Sequence, residues 1–287
     1  MPAIQITNFS YAYQHSHKAL DNINLTVEKG SFTALLGSSG AGKTTLCLAL
    51  AGAVPHYFGG SLAGSVRIDQ VLTTDTTMPA LSQTVGSVLQ DYEIQLVTMT
   101  VEEEIAFTLE NLGLPEETII KRITETLDTI GLRGYEQVEI TALSGGQKQR
   151  LAIGSVLAAN PTILVLDEPS SALDPEGTQE LYKLLGKLNR TRKLTIVVVE
   201  HDIASVLPYA DQFVLLQNGR LLQAGSPAKV LSTMWSQQIT PDALPPLWQL
   251  KLMLEKQTGL SFSAWRTEQD AIEELTGCLL REGRTNA

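Results

Sequence analysis

Cysteine is nearly absent from this chain of 287 residues: Cys47 and Cys278 are the two it has, far apart in sequence. That spacing excludes a disulfide framework and a cysteine-held metal. Cys47 falls in an apolar stretch and reads as a small core residue. Long hydrophobic runs are missing as well. The longest, residues 194–199 and 163–166, are strand-length, far short of the ~20 residues that cross a bilayer as a helix. The opening residues, Met1-Pro2-Ala3-Ile4-Gln5, show no basic segment followed by an apolar one, hence no visible secretory signal. A basic excess is lacking too. With 21 Lys and Arg against 31 Asp and Glu the net charge is −10, which argues against a nucleic-acid binder, since that would carry a basic stripe. No internal repeat or low-complexity segment occurs. What is left, 43% hydrophobic and 18% charged, is ordinary globular composition. The expectation is a cytoplasmic chain with no membrane span of its own, or one held at the inner face of a membrane through a partner.

Residues 4–9, 22–27 and 31–36 read as strands, and 84–89 as another. From Thr100 to Ala159 the pattern turns helical, with Val101, Ile105, Leu109 and Leu112 on one face. Strand–helix alternation returns over 162–166, 175–188, 194–199 and 213–216. This order predicts a parallel-sheet α/β core with a helical subdomain, about 91–160, inserted into it. A core domain over 1–231 is expected, followed by a helical extension over 232–287. Pro241, Pro245 and Pro246 punctuate that extension. Two amphipathic helices follow, one with a stripe of Leu247, Leu250 and Leu254, the other with Ile272, Leu275 and Leu279. Thr267-Glu268-Gln269-Asp270 is a capping-box-like start for the second. These helices are read either as packing on the chain's own core or as touching a sister subunit.

Gly37-Ser38-Ser39-Gly40-Ala41-Gly42-Lys43-Thr44 fits G-x-x-x-x-G-K-[ST] between a strand and a helix. Its glycines let successive N–H groups turn inward on phosphate oxygens, and the helix N-terminus adds partial positive charge. Lys43 is assigned to the β- and γ-phosphates and the Thr44 hydroxyl to Mg²⁺, with Thr45 counted in the nucleotide site. The apolar strand before Asp167-Glu168 has no structural reason to finish in two carboxylates, which repel and resist desolvation. A divalent cation and a reacting water supply that reason. Asp167 suits Mg²⁺ as a hard oxygen ligand, and Glu168 suits polarisation of the attacking water. Ser144 is a plausible N-cap for a helix opening Gly145-Gly146-Gln147, a second phosphate-binding end.

Together, the phosphate loop and the later run Leu143-Ser144-Gly145-Gly146-Gln147 make the chain resemble the ATP-binding-cassette (ABC) family over roughly residues 4 to 231. The resemblance implies an ATPase that sandwiches ATP·Mg²⁺ between two subunits, identical or paralogous. In that architecture Ser144, Gly145, Gly146 and Gln147 serve the partner's nucleotide, and Ser171-Ala172-Leu173-Asp174 links the two sites. His201 matches the family's γ-phosphate-sensing histidine. Gln90 matches the glutamine that senses Mg²⁺ and the water. Tyr11 is expected to stack on adenine, with Tyr13 as a rival.

The segments 90–96, 100–107 and 110–115, the run Val54-Pro55-His56-Tyr57-Phe58-Gly59-Gly60 and the extra C-terminal helices resemble the A component of energy-coupling factor (ECF) importers. That resemblance implies a transmembrane scaffold and small substrate-binding membrane proteins as partners, and a vitamin or transition-metal ion as cargo. Tyr92 departs from the pattern, which commonly has Pro there. The acidic run Glu102-Glu103-Glu104 is expected to attract a basic helix of the scaffold. Competing readings are the ATPase of a conventional importer or exporter, a soluble ABC ATPase of repair or translation, and a cassette that binds ATP without hydrolysing it. The intact Asp167, Glu168 and His201 oppose the last.

Overall fold

The computed structural model describes residues 1–14, 17–240 and 243–285. The elements run β1 (Pro2–Ala12), β2 (Lys18–Glu28), β3 (Phe32–Leu36), α1 (Lys43–Leu50), α2 (Ala53–His56), β4 (Ser61–Ile68), β5 (Val71–Leu72), α3 (Met78–Leu81) and β6 (Val85–Val88). Then come α4 (Val101–Asn111), α5 (Glu116–Ile130), α6 (Gly145–Ala158), β7 (Ile163–Asp167), α7 (Pro175–Arg192), β8 (Thr195–Val199), α8 (Ile203–Val206), β9 (Gln212–Gln217) and β10 (Arg220–Gly225). The chain closes with α9 (Pro227–Ser236), α10 (Pro246–Thr258) and α11 (Glu268–Thr285).

Two sheets form. The larger has the order β10-β9-β3-β8-β7-β6, parallel except for β10 at one edge. Every residue of β3, β7 and β8 is buried, as expected for strands covered on both faces. The smaller sheet, β2-β1-β4-β5, is antiparallel. It packs through Ile4, Ile6, Leu20 and Ile23 into one apolar cluster with α1 and one face of the larger sheet. β4, β5 and β10 lack a legible sequence signal because Gly, Ser and Gln dilute their alternation.

Helices α4, α5 and α6 enclose a core of their own, built from Val101, Ile105, Leu109, Leu127, Ile130 and Leu151. The other face of α6 returns Ala152, Ile153 and Leu157 to the main core, so the inserted lobe is rooted on one shared helix. Gly154 allows α6 to press on α5, because a Cβ there would lie 2.5 Å from Ile130 Cδ1.

The expected division after residue 231 falls within a helix. That position lies inside α9, whose Leu231 and Met234 are buried in the same cluster as Leu244, Trp248 and Leu252. The expected stripe on α10 is also corrected: Trp248, Lys251 and Leu252 are buried, while Leu250 is 47% exposed. Trp248 wins the inward position because it is the larger apolar body and its indole has an acceptor in reach. Its Nε1 donates to the Trp265 carbonyl at 2.7 Å, and the Trp265 Nε1 donates to Glu274 Oε2 at 2.6 Å. The Thr267–Asp270 start forms as expected, with Asp270 accepting from the N–H groups of Arg266 and Thr267. Ile272 points outward. The side chain of Leu279 and the residue Pro241 lie outside the described residues.

Truncating Trp248 to Ala is expected to destabilise the protein by about 3–5 kcal/mol, as for other buried aromatics. A melting temperature unchanged by that substitution would contradict the packing described.

Candidate active site

Four neighbouring parallel strands deliver the candidate residues at their carboxyl ends, where open α/β sheets bind ligands. β3 runs into the glycine loop, β8 into Glu200-His201, β7 into Asp167-Glu168 and β6 into Leu89-Gln90.

The loop requires glycine at two positions. Gly37 has φ 147°, and a Cβ there would sit 2.3 Å from the Leu216 carbonyl oxygen. Gly42 has φ 100°, with the Ala19 carbonyl oxygen 2.8 Å from a Cβ. No side chain caps α1 at Gly42, so its first N–H groups face the loop interior as an anion site. Ser38, Ser39 and Gly40 are exposed at the loop tip, and Ala41 is buried beneath it. Lys43 is 5% exposed and its Nζ donates to the carbonyls of Gly37 and Ser38 at 2.9 and 3.1 Å. Burial lowers its pKa below the usual lysine value, opposed by the carboxylates of Glu168 and Asp167.

Asp167 is 3% exposed, and burial raises its pKa against a hydrogen bond from Thr44. Its Oδ1 is buried without a hydrogen-bond partner, a state that costs free energy unless a ligand completes it. An unsatisfied carboxylate oxygen beside a threonine hydroxyl fits Mg²⁺, which ordinarily takes one or two protein ligands and completes its shell with phosphates and water. Glu168 follows with φ 49°, in the left-handed region, a strained backbone of the kind retained at functional sites. Its carboxylate is held from two sides: Gln90 Nε2 donates to Oε2 at 2.9 Å, and His201 Nε2 lies 2.8 Å from Oε1. Gln90, Glu168 and His201, assigned from three separate strand ends, are therefore one hydrogen-bonded group.

Tyr11 is corrected. It is 1% exposed and its hydroxyl donates to the Gly59 carbonyl at 2.8 Å, so its ring offers no face to a purine. The rival, Tyr13, is half-buried, with its hydroxyl 3.2 Å from Thr45 Oγ1. Phe58 packs edge-on against Tyr13 at 6.1 Å between centroids. Position relative to the strand end separates the two: Tyr11 is a paired, buried residue of β1, and Tyr13 lies just past the last paired residue, Ala12.

Ser144, Gly145, Gly146 and Asp174 gather elsewhere, around a separate cleft of about 430 Å³ that contains no residue of the glycine loop. Ser144 caps α6 as expected, and Gln147 completes a capping box: its Oε1 accepts from Ser144 N at 2.9 Å. Asp174 caps α7 by accepting from Gly177 N at 2.7 Å. Two contacts had no sequence signal. Tyr92 is buried and donates to the Gly145 carbonyl at 3.2 Å, and Gln149 donates to the Pro169 carbonyl. They tie the start of α6 to the segments after Gln90 and Glu168.

The acidic run is not a free charged surface. Glu104 is buried and accepts from the N–H groups of Val97 and Thr98 at 2.9 and 3.0 Å. Glu103 closes the capping box of α4 with Thr100, and Glu102 accepts from Gln137.

The sequence model of the ABC transporter family matches residues 20–171. The chain belongs to the ABC transporter family. An ABC transporter ATP-binding protein of Pyrococcus horikoshii is 39% identical over 282 residues, which is 98% of this chain and 99% of that one. The energy-coupling factor transporter ATP-binding protein EcfA of Pediococcus pentosaceus is 34% identical over 231 residues, 80% of either chain. Among solved structures, CbiO1 of Clostridium perfringens, part of the ABC transporter complex CbiONQ, superposes with TM-score 0.75 at 30% identity. That match covers 89% of this chain and 96% of CbiO1. The dimeric ATP-binding cassette MJ0796 with ADP and Pi gives TM-score 0.67 at 28% identity, over 78% and 98% of the two chains. This ABC protein is thus an ATPase that uses ATP with Mg²⁺.

Tyr13→Ala is expected to weaken ATP binding by roughly tenfold, the scale of one lost base–aromatic stack. Tyr13→Phe, which keeps the ring face, should retain that affinity. Titration calorimetry of both variants checks the assignment, and full affinity in a folded Tyr13→Ala protein would rule Tyr13 out.

Proposed function

We propose that this ABC ATPase is the energy-supplying subunit of an ECF-type importer, peripheral to the cytoplasmic face of the membrane. The observation that carries the reading is its likeness to EcfA of Pediococcus pentosaceus and to CbiO1 across most of the chain. The cargo class is then a vitamin or a transition-metal ion, bound by small membrane proteins on a shared transmembrane scaffold. Among the described residues no helix is long and apolar enough to cross a membrane, so partners must span it. A groove of about 520 Å³ between the two lobes suits a helix of the scaffold. Met78, Phe107, Leu112 and Val156 line it with apolar surface, and Phe107 is 46% exposed. Of the acidic run, Glu104 is buried and engaged within the chain, which leaves Glu102 and Glu103 as the charges available beside this groove.

In the proposed cycle two such subunits, identical or paralogous, close on two ATP molecules. The glycine loop from Gly37 to Thr44, with Thr45, cradles the phosphates, and Lys43 turns from its loop carbonyls to the β- and γ-oxygens. Thr44 and Asp167, with Gln90 nearby, would hold Mg²⁺, which would supply charge neutralisation at the phosphate oxygens. Glu168 accepts a hydrogen bond from the attacking water and orients it in line, while His201 and Gln90 fix the carboxylate. Ser144, Gly145, Gly146, Gln147 and Asp174 complete the partner's site. The cleft lined by Ser144, Gly145, Gly146 and Asp174 supports this, because no residue of the chain's own glycine loop lines it.

Glu168→Gln is expected to bind ATP normally and to stop turnover, losing about 100-fold or more as general-base removal does. Near-normal phosphate release in that variant would refute the role of Glu168. The importer reading is tested by purifying the tagged chain from gently solubilised membranes. One scaffold with several small membrane proteins is the expected yield; two large membrane domains alone would indicate a conventional transporter.

A further inference from the structure

Glu200 follows directly on β8 and is 3% exposed, yet none of the ion pairs among the described residues involves it. Instead its Oε1 accepts from the Ser170 hydroxyl at 2.7 Å and from the buried Tyr182 hydroxyl. Its Oε2 accepts from the backbone N–H of His201 at 3.2 Å, and its own N–H donates to the Leu35 carbonyl at 3.2 Å. Three groups meet on this one side chain, and a fourth is held by its backbone N–H. His201 heads one, Ser170 stands two residues after Glu168, Tyr182 belongs to the helix capped by Asp174, and Leu35 precedes the glycine loop. A cleft of about 370 Å³ opens above it, lined by Glu168, Ser170, Glu200 and His201.

Stability does not explain such a group. A buried carboxylate without a cation loses hydration that hydroxyl donors only partly restore, and apolar side chains of similar size are often as stable or better. Burial indeed raises its pKa, with the bonds from Tyr182 and Ser170 opposing that rise. What the carboxylate does provide is direction. It fixes the backbone entering His201 and the turn leaving Glu168 to the same pair of oxygens. The ring nitrogen of His201 and the carboxylate of Glu168 then meet at 2.8 Å.

We infer that Glu200 is a positioning residue, which through Ser170 and Tyr182 clamps the His201 loop to the Glu168 turn and so sets the geometry of hydrolysis without touching ATP. The inference rests on the roles proposed above for Glu168 and His201. Because Tyr182 rides on the helix capped by Asp174, the same clamp ties that geometry to the residues proposed to face the partner subunit.

Two variants of the intact protein test it. Glu200→Gln keeps the shape and weakens the acceptor. Glu200→Met with Tyr182→Phe removes the carboxylate together with its buried donor and keeps the volume filled. Both are expected to hold their melting temperature and ATP affinity while kcat falls about 10- to 100-fold, the scale of a misplaced reacting group. Ser170→Thr, which keeps the hydroxyl, should turn over better than Ser170→Ala. In a double-mutant cycle Glu200→Gln should add little once His201→Ala is present, because Glu200 acts through His201. Full turnover in a folded variant of either kind would overturn the inference, as would losses that simply multiply. Turnover surviving in Glu168→Gln would instead overturn the underlying role of Glu168, so the two failures are distinguishable.

Discussion

Register in the parallel sheet is the constraint on which the site depends. Val199 of β8 pairs with Leu35 of β3 on one side and with Asp167 of β7 on the other, and Val88 of β6 pairs with Leu166. These pairings bring the residues that follow each strand, Gly37, Glu168, His201 and Gln90, to one edge. A slip of one residue in any strand would carry each of its side chains to the opposite face of the sheet, against the wrong neighbours, and move its catalytic end by a residue. Complete burial of β3, β7 and β8 on both faces makes such a slip prohibitive, so hydrophobic burial far from the chemistry holds the chemistry in place.

Charge is then placed where a soluble core would not tolerate it. Asp167 keeps an oxygen without a partner, Lys43 folds onto loop carbonyls, and Glu168 sits in a left-handed backbone conformation. The unpartnered oxygen of Asp167 and the backbone of Glu168 are costly in themselves, and under the proposed function Mg²⁺ would give Asp167 its missing ligand while phosphate would take the place of the carbonyls on Lys43. The pocket is thus held ready with its polar groups directed, which lessens the reorganisation needed when charge develops in the transition state.

The inserted helical lobe connects this pocket to the rest of a transporter by short polar links across otherwise apolar seams. Tyr92 joins the segment after Gln90 to the start of α6, Glu93 pairs with Lys148 at 3.1 Å, and Gln149 reaches Pro169 beside Glu168. A displacement of the lobe by a partner in the groove would be felt at Gln90 and at Ser144 together. The C-terminal helices, by contrast, are anchored on the main core by Trp248, and they leave Leu250 and Met253 outward.

Local chemistry in the chain determined the glycine loop, the carboxylates ending β7, the cap at Ser144 and the buried strands, because each depends on a few consecutive residues. The grouping of Gln90, Glu168 and His201 was inferred by resemblance, and its contacts came only from the sheet. Where the sequence misled, the deciding partner was distant. Tyr11 is buried with its hydroxyl on Gly59, which leaves Tyr13 as the candidate ring for adenine, and Trp248 displaced the leucine stripe because the carbonyl of Trp265 lies opposite. Within the acidic run Glu104 is internal because the N–H groups of Val97 and Thr98 fold back onto it. Glu200 looked like a mere neighbour of His201 until the fold brought Ser170 and Tyr182 to its carboxylate. Short-range patterns fix which groups a segment offers; long-range packing alone decides which of them are already taken.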